Sequence, residues 1–299
     1  MVMEWRVNMN KMKQDMSFNN IFRALFPAIL YMLISSMVEV TVCLYIFLSG
    51  SYGDVETTNG LDFFYMFSEN INDMAVHYGY LITFFSALIS AVIFFPIFMK
   101  ECNKNREYLK AYLSNRVKGL DLIKIFLLGA SAGPGLSRLL TLIRIKKILE
   151  DYERVSKNLL NGPLIIQIIS IALIVPVTEE LIYRGVIYLR LRKMTTMRQA
   201  AFVTSMIFGL FHFNLLQAMY AFLLSFILLF VFEKYKSITV CIVLHGTANL
   251  IAVISEYYGI FNFINKNIMI YLAVMIVELL TATLLMDRMY YEEHTKKWS

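Results

Sequence analysis

The fold class predicted by this sequence is an all-α, polytopic membrane bundle of about eight transmembrane helices. Three observations carry that prediction. Of the 299 residues, 58% are hydrophobic and only 17% charged, with a mean hydropathy of +0.60, which leaves too little polar surface to cover a water-soluble globule. Apolar runs of roughly 20 residues, enough helix to cross a hydrocarbon core of about 30 Å, recur along the chain. Lys and Arg cluster in particular short connections, as cytoplasmic loops of polytopic proteins do. No Pro/Gly/Ser-rich linker or internal repeat divides the chain, so residues 1–299 are read as a single membrane domain.

The first run, residues 26–48, is too long for a removable signal peptide and lacks a small-residue cleavage pattern. Glu39 within it has no charged neighbour in sequence and is expected to be structural or to touch substrate. The stretch 49–79 contains no Lys or Arg, is rich in Asp and Glu, and reads as a loop. A second run covers residues 80–99. The third, residues 123–140, is weaker because Gly129, Gly133, Pro134 and Gly135 loosen a helix unless neighbours satisfy its backbone. Residues 164–177 and 200–213 supply the fourth and fifth spans, once the polar continuations Thr178 to Val186 and His212 to Asn214 are counted as still in the membrane. Residues 216–232, 237–254 and 268–286 complete the set.

Orientation follows from the basic loops. Arg6, Lys11, Lys13 and Arg23 precede the first span, and Lys100, Lys104, Arg106, Lys110, Arg116 and Lys118 follow the second, so the amino terminus is expected inside. Arg190, Arg192, Lys193 and Arg198, then Lys234 and Lys236, then Arg288, Lys296 and Lys297 fall on the same side, which makes 268–299 a last helix with a cytoplasmic tail. Arg138, Arg144, Lys146, Lys147, Arg154 and Lys157 break the rule, and leave open a re-entrant third segment. The net charge of +6 belongs to such loops and implies no nucleic-acid partner; the partners expected are the bilayer of the cell membrane and a membrane-associated substrate. Cys43, Cys102 and Cys241 show neither a disulfide framework nor metal-ligand spacing.

The chemistry is concentrated in the second half. Charge inside a span costs roughly 2.5–3.5 kcal/mol per residue, so intramembrane ionisable groups mark functional sites by default. In Pro176-Val-Thr-Glu179-Glu180-Leu-Ile-Tyr-Arg184-Gly185 a helical turn of about 100° per residue puts Glu180 and Arg184 on one face, where they pair, and turns Glu179 elsewhere. Glu179 is thereby left free for acid–base work. Phe208-Gly-Leu-Phe-His212 ends one span with an imidazole. His245-Gly-Thr-Ala-Asn249 sets a histidine and an amide on one face of another. His77 and His294 lack such company and read as solvated.

Glu179, Glu180 and Arg184 in Glu-Glu-x-x-x-Arg, Phe208 and His212 in Phe-x-x-x-His, and His245 and Asn249 in His-x-x-x-Asn together resemble the three motifs of the CAAX protease and bacteriocin-processing (CPBP) family, which includes the type II CAAX prenyl endopeptidases. The resemblance covers roughly residues 164–254, the expected catalytic core. Residues 1–160 resemble only a generic set of spans, without an assigned role.

The resemblance implies an intramembrane protease of glutamate type that cuts a membrane-associated protein or peptide, either a CAAX-type protein or a bacteriocin- or pheromone-like precursor. Glu179, assisted by His212, would activate water, and His245 with Asn249 would hold the oxyanion. Glu180 and Arg184 would support them from behind. No cofactor or metal is invoked. Other readings stay open: a thiol nucleophile at Cys241, one helical turn from His245; a metallopeptidase using Glu179, His212 and His245, although His-Glu-x-x-His is absent; a non-catalytic immunity or scaffold protein; and a transporter. A cavity reaching the site from the cytoplasmic side is expected.

Overall fold

The computed structural model describes residues 17–50, 59–104, 117–142, 162–212 and 214–295. Among the described residues there are ten helices and no strand. They are α1 (Phe18–Leu48), α2 (Gly60–His77), α3 (Gly79–Lys104), α4 (Gly119–Thr141), α5 (Leu164–Met194), α6 (Met197–Leu210), α7 (Leu215–Tyr235), α8 (Ile238–Tyr257), α9 (Ile260–Asn265) and α10 (Ile268–Thr295). Seven of these, α1, α3, α4, α5, α7, α8 and α10, are long and apolar enough to cross a membrane. The chain is an all-α polytopic membrane protein.

The expected fifth span is α6, and it is shorter than its apolar run suggests. With 14 residues it extends about 21 Å, less than the hydrocarbon thickness. Its start is set by a capping box, in which the Thr196 hydroxyl accepts from the Gln199 N–H and the Gln199 side chain accepts from the Thr196 N–H. Past its end, the Asn214 side chain accepts from the N–H groups of Leu216 and Gln217 and starts α7. Helices α6 and α7 therefore form a hairpin with His212 at its tip.

A further reading is corrected, and the third span is a better helix than its glycines suggest. The acidic stretch after α1 contains α2, 18 residues long and capped by Asn59, whose acids interleave with apolar residues at helical spacing. Phe63 and Phe67 pack edge-on to Phe47 of α1, and Met74 is buried beside Cys43. The Gly-rich run is a continuous helix of 23 residues, α4, that qualifies as a span. A Cβ on Gly129 would lie 2.4 Å from the Leu244 carbonyl oxygen, and one on Gly133 2.7 Å from the Ala248 Cβ. The glycines admit the backbone of α8, the small-residue contact by which membrane helices pack closely.

Arg138, assigned from sequence to a loop, is a buried residue of α4. Its Nη1 donates to both oxygens of Glu278 in α10, at 2.7 and 2.6 Å, and its guanidinium lies 5.1 Å from the Phe261 ring centre. Arg144, Lys146, Lys147, Arg154 and Lys157 lie outside the described residues.

Ion pairs identify the helix ends that share a face. Glu101 of α3 accepts from Arg190 (3.0 Å) and Lys193 (2.9 Å) of α5, and Arg190 also donates to the Arg23 carbonyl of α1. Glu233 of α7 accepts from Tyr188 of α5 and from Lys236. Lys234 donates to the Met289 carbonyl of α10, and Tyr235 donates to Asp121 at the start of α4. The starts of α1 and α4 and the ends of α3, α5, α7 and α10 thus form one basic face. At the opposite face the Thr141 and Tyr271 hydroxyls meet at 2.5 Å, and Gly162 packs on Tyr80.

Candidate active site

Helix α5 is the axis of the site. Its 31 residues include two π-helical stretches, Ile168–Ile174 and Leu181–Tyr188, on either side of Val175–Glu180. Such irregularities recur where helices carry function. Here one consequence is readable in the sequence: in a π register the Ile171 carbonyl would accept from residue 176, and Pro176 has no N–H, so that carbonyl is left free. That carbonyl instead accepts from Asn249 Nδ2 of α8 at 2.8 Å. Gly246, one turn earlier on α8, permits the close approach, since a Cβ there would lie 2.6 Å from the Ala172 carbonyl oxygen.

The two adjacent acids have different surroundings. Glu180 is fully buried, and its Oε1 accepts from Arg184 Nη1 at 2.9 Å and from His245 Nδ1 at 2.8 Å. A carboxylate can only accept, so Nδ1 carries the proton. The ring is thereby oriented with Nε2 3.7 Å from Glu179 Oε2. Behind this pair Arg184 Nη2 donates to Ser225 of α7 at 2.9 Å, and Ser225 meets Ser205 of α6 at 3.0 Å. The guanidinium lies 4.8 Å from the Phe208 ring centre. Phe208 in turn packs edge-on to His212 and His245, at 5.0 and 5.9 Å between centres. The motif phenylalanine is the wall that holds both imidazoles.

Glu179 faces the other way, into a cavity of about 380 Å³ that is also lined by His212, His245 and Asn249. Four of the six residues singled out from sequence therefore share one cavity, and Glu180 and Arg184 stand behind it. His212 Nδ1 is 2.7 Å from the Phe208 carbonyl oxygen; because a carbonyl only accepts, Nδ1 bears hydrogen and Nε2 is left for proton exchange. Asn249 spends one N–H on Ile171 and has a second.

Other candidates sit elsewhere. Cys241 is buried, with its thiol 3.4 Å from the Leu228 carbonyl oxygen, and is not among the residues lining the cavity. Ser205 belongs to the buried network, and Glu39 is half-buried away from the cavity. Among the described residues no three His, Cys, Asp or Glu side chains form a metal-ligand group. Sequence reasoning missed Ser225, which was visible as the single serine of its span, and Tyr31, Gln217 and Tyr220, which line the cavity without a distinguishing pattern.

Residues 161–251 match the model of the family described as type II CAAX prenyl endopeptidase Rce1-like. The match agrees with the family resemblance carried by the three motifs. It spans α5 to most of α8 and encloses Glu179, Glu180, Arg184, His212, His245 and Asn249. No curated protein and no solved structure matches the chain. The family supports a CAAX-type intramembrane protease in general, and the seven apolar helices fit an integral membrane protein.

Proposed function

We propose that the chain is an intramembrane endopeptidase that hydrolyses a peptide bond of a membrane-associated protein or peptide with water activated by Glu179. The observation that carries this reading is the convergence of Glu179, His212, His245 and Asn249 on one cavity, while the neighbouring acid is consumed by Arg184 and His245. Glu179 takes a proton from water as its oxygen bonds to the peptide carbonyl carbon, and His212 Nε2 exchanges that proton. The oxyanion accepts hydrogen bonds from the free N–H of Asn249 and from His245 Nε2 when that ring carries both protons, with Glu180 accepting at Nδ1. Collapse breaks the C–N bond, and the proton passes to the leaving amine. No covalent intermediate forms.

The test compares membrane peptides from cells carrying the wild-type chain with those from cells carrying Glu179→Gln at equal abundance. Products that depend on Glu179 are expected; a scaffold role predicts identical peptides. A strong chelator leaves turnover intact on this reading, and a loss that zinc alone restores would transfer the reaction to a metal-bound water.

A further inference from the structure

We infer that substrate reaches Glu179 from the face opposite the basic helix ends, and that it is an internal segment of a peptide presented on the extracytoplasmic side. The chemistry of cleavage rests on the function proposed above; the direction of access does not. Helices α4 and α8 start at the basic face, and their cavity residues lie late in each: Ser137 and Leu140 near the end of α4, Ala252 one turn beyond Ala248. Helices α3 and α5 run the other way, and theirs lie early, with Thr83 near the start of α3 and Ile171 before Glu179. Phe261, in the connection between α8 and α10, lines the same end. Every wall extends away from the basic face. Toward that face Glu180, Arg184, Ser225 and Cys241 fill the interior with no exposure. The cavity is therefore blind on the basic side.

Sidedness follows from charge. Lys100, Lys104, Arg190, Lys193, Lys234 and Lys236 crowd the basic face, whereas among the described residues the opposite face has Lys266 and the buried, paired Arg138; the sequence joining α4 to α5 adds Arg144, Lys146, Lys147, Arg154 and Lys157 together with Glu150, Asp151 and Glu153, fewer basic residues than the other side carries. The basic face is the cytoplasmic one, so the cavity opens outward. The same charges select the segment that binds. A chain cut three residues from its end carries a carboxylate within roughly 10 Å of the scissile bond, and burying it needs a cation. No Lys or Arg lines the cavity, its imidazoles His212 and His245 are committed to the reaction proposed above, and Arg138, next to Ser137, is already held by both oxygens of Glu278. An uncharged internal stretch meets no such demand.

Single cysteines at Ser137, Thr83 and Lys193, in a version with Cys43, Cys102 and Cys241 replaced, are exposed in intact cells to a membrane-impermeant thiol reagent. Ser137→Cys and Thr83→Cys are expected to react in intact cells, and Lys193→Cys only after permeabilisation. Labelling of Ser137→Cys and Thr83→Cys only after permeabilisation, or in neither state, overturns the inference. In the same cells, Glu179-dependent products are expected outside, cut well inside the precursor; products confined to the cytoplasm, or cut within three residues of the end, refute the substrate class. Outward labelling without any Glu179-dependent product would instead leave the access route standing and remove the proposed reaction.

Discussion

At the scale of single residues, the site divides into a working surface and a buried support. Arg184 is fully enclosed and paired with Glu180, and removing one partner of a buried ion pair costs about 3–5 kcal/mol because the other charge is stranded. Arg184→Ala is accordingly expected to lower the amount of folded protein in the membrane as well as turnover, measured by detergent-resistant yield and melting. Ser225→Ala removes one hydrogen bond to that guanidinium, about 1.5–3 kcal/mol at most. It should leave a folded protein with reduced turnover, and Ser225→Thr should restore part of it if orientation of Arg184 is the reason. The different surroundings of Glu179 and Glu180 were legible in the sequence, because i,i+4 spacing assigns Arg184 to one of them. The bond from Glu180 to His245 Nδ1 was not, since it depends on how α5 and α8 cross.

Among the elements, the contact of α4 with α8 does most to place the site. Helix α8 carries His245 and Asn249, and its distance from α4 is set by absent side chains. Gly129→Ala would drive a Cβ to 2.4 Å from the Leu244 carbonyl oxygen, an overpacking of about 1–3 kcal/mol. A lower melting temperature in detergent is expected, together with loss of turnover as α8 shifts. Gly119→Ala, where a Cβ meets nothing within 4 Å, serves as the neutral control. In sequence the glycines of α4 stand out as an anomaly that points to weakness, because a single helix reveals nothing about the partner that occupies the vacated space. Apolar runs overstate helix length for a similar reason: the fifth run continues through the turn at His212, where α6 has already ended. Helix α2 escapes notice because Asp62, Glu69 and Asp73 dominate its composition although its apolar positions pack on α1.

For the whole molecule, the parity of spans and the basic loops anticipate the helix ends that gather on one face, and the ion pairs at Glu101 and Glu233 agree. Parity does not say which side of the site is filled. A cytoplasmic opening was the expectation from sequence; the cavity residues lie on the side of Glu179 away from the basic helix ends, because Leu181 to Tyr188 of α5 are all enclosed by their neighbours. If the helix order is as described, a cysteine at Arg190 and one at Glu153 label from opposite sides of the membrane.

The central claim is that two consecutive glutamates do different work, one in the reaction and one in holding the structure that performs it. The most direct measurement is of turnover and membrane abundance in Glu179→Gln and Glu180→Gln, side by side. Glu179→Gln should accumulate to the wild-type level with no detectable cleavage, because it keeps the side chain's size and its ionisable neighbour His245, 3.7 Å away, keeps its bond to Glu180. Glu180→Gln should fall in abundance, because Arg184 then lacks its counter-charge in the interior. Substantial cleavage by Glu179→Gln, or a full yield of Glu180→Gln that is merely inactive, would contradict the account.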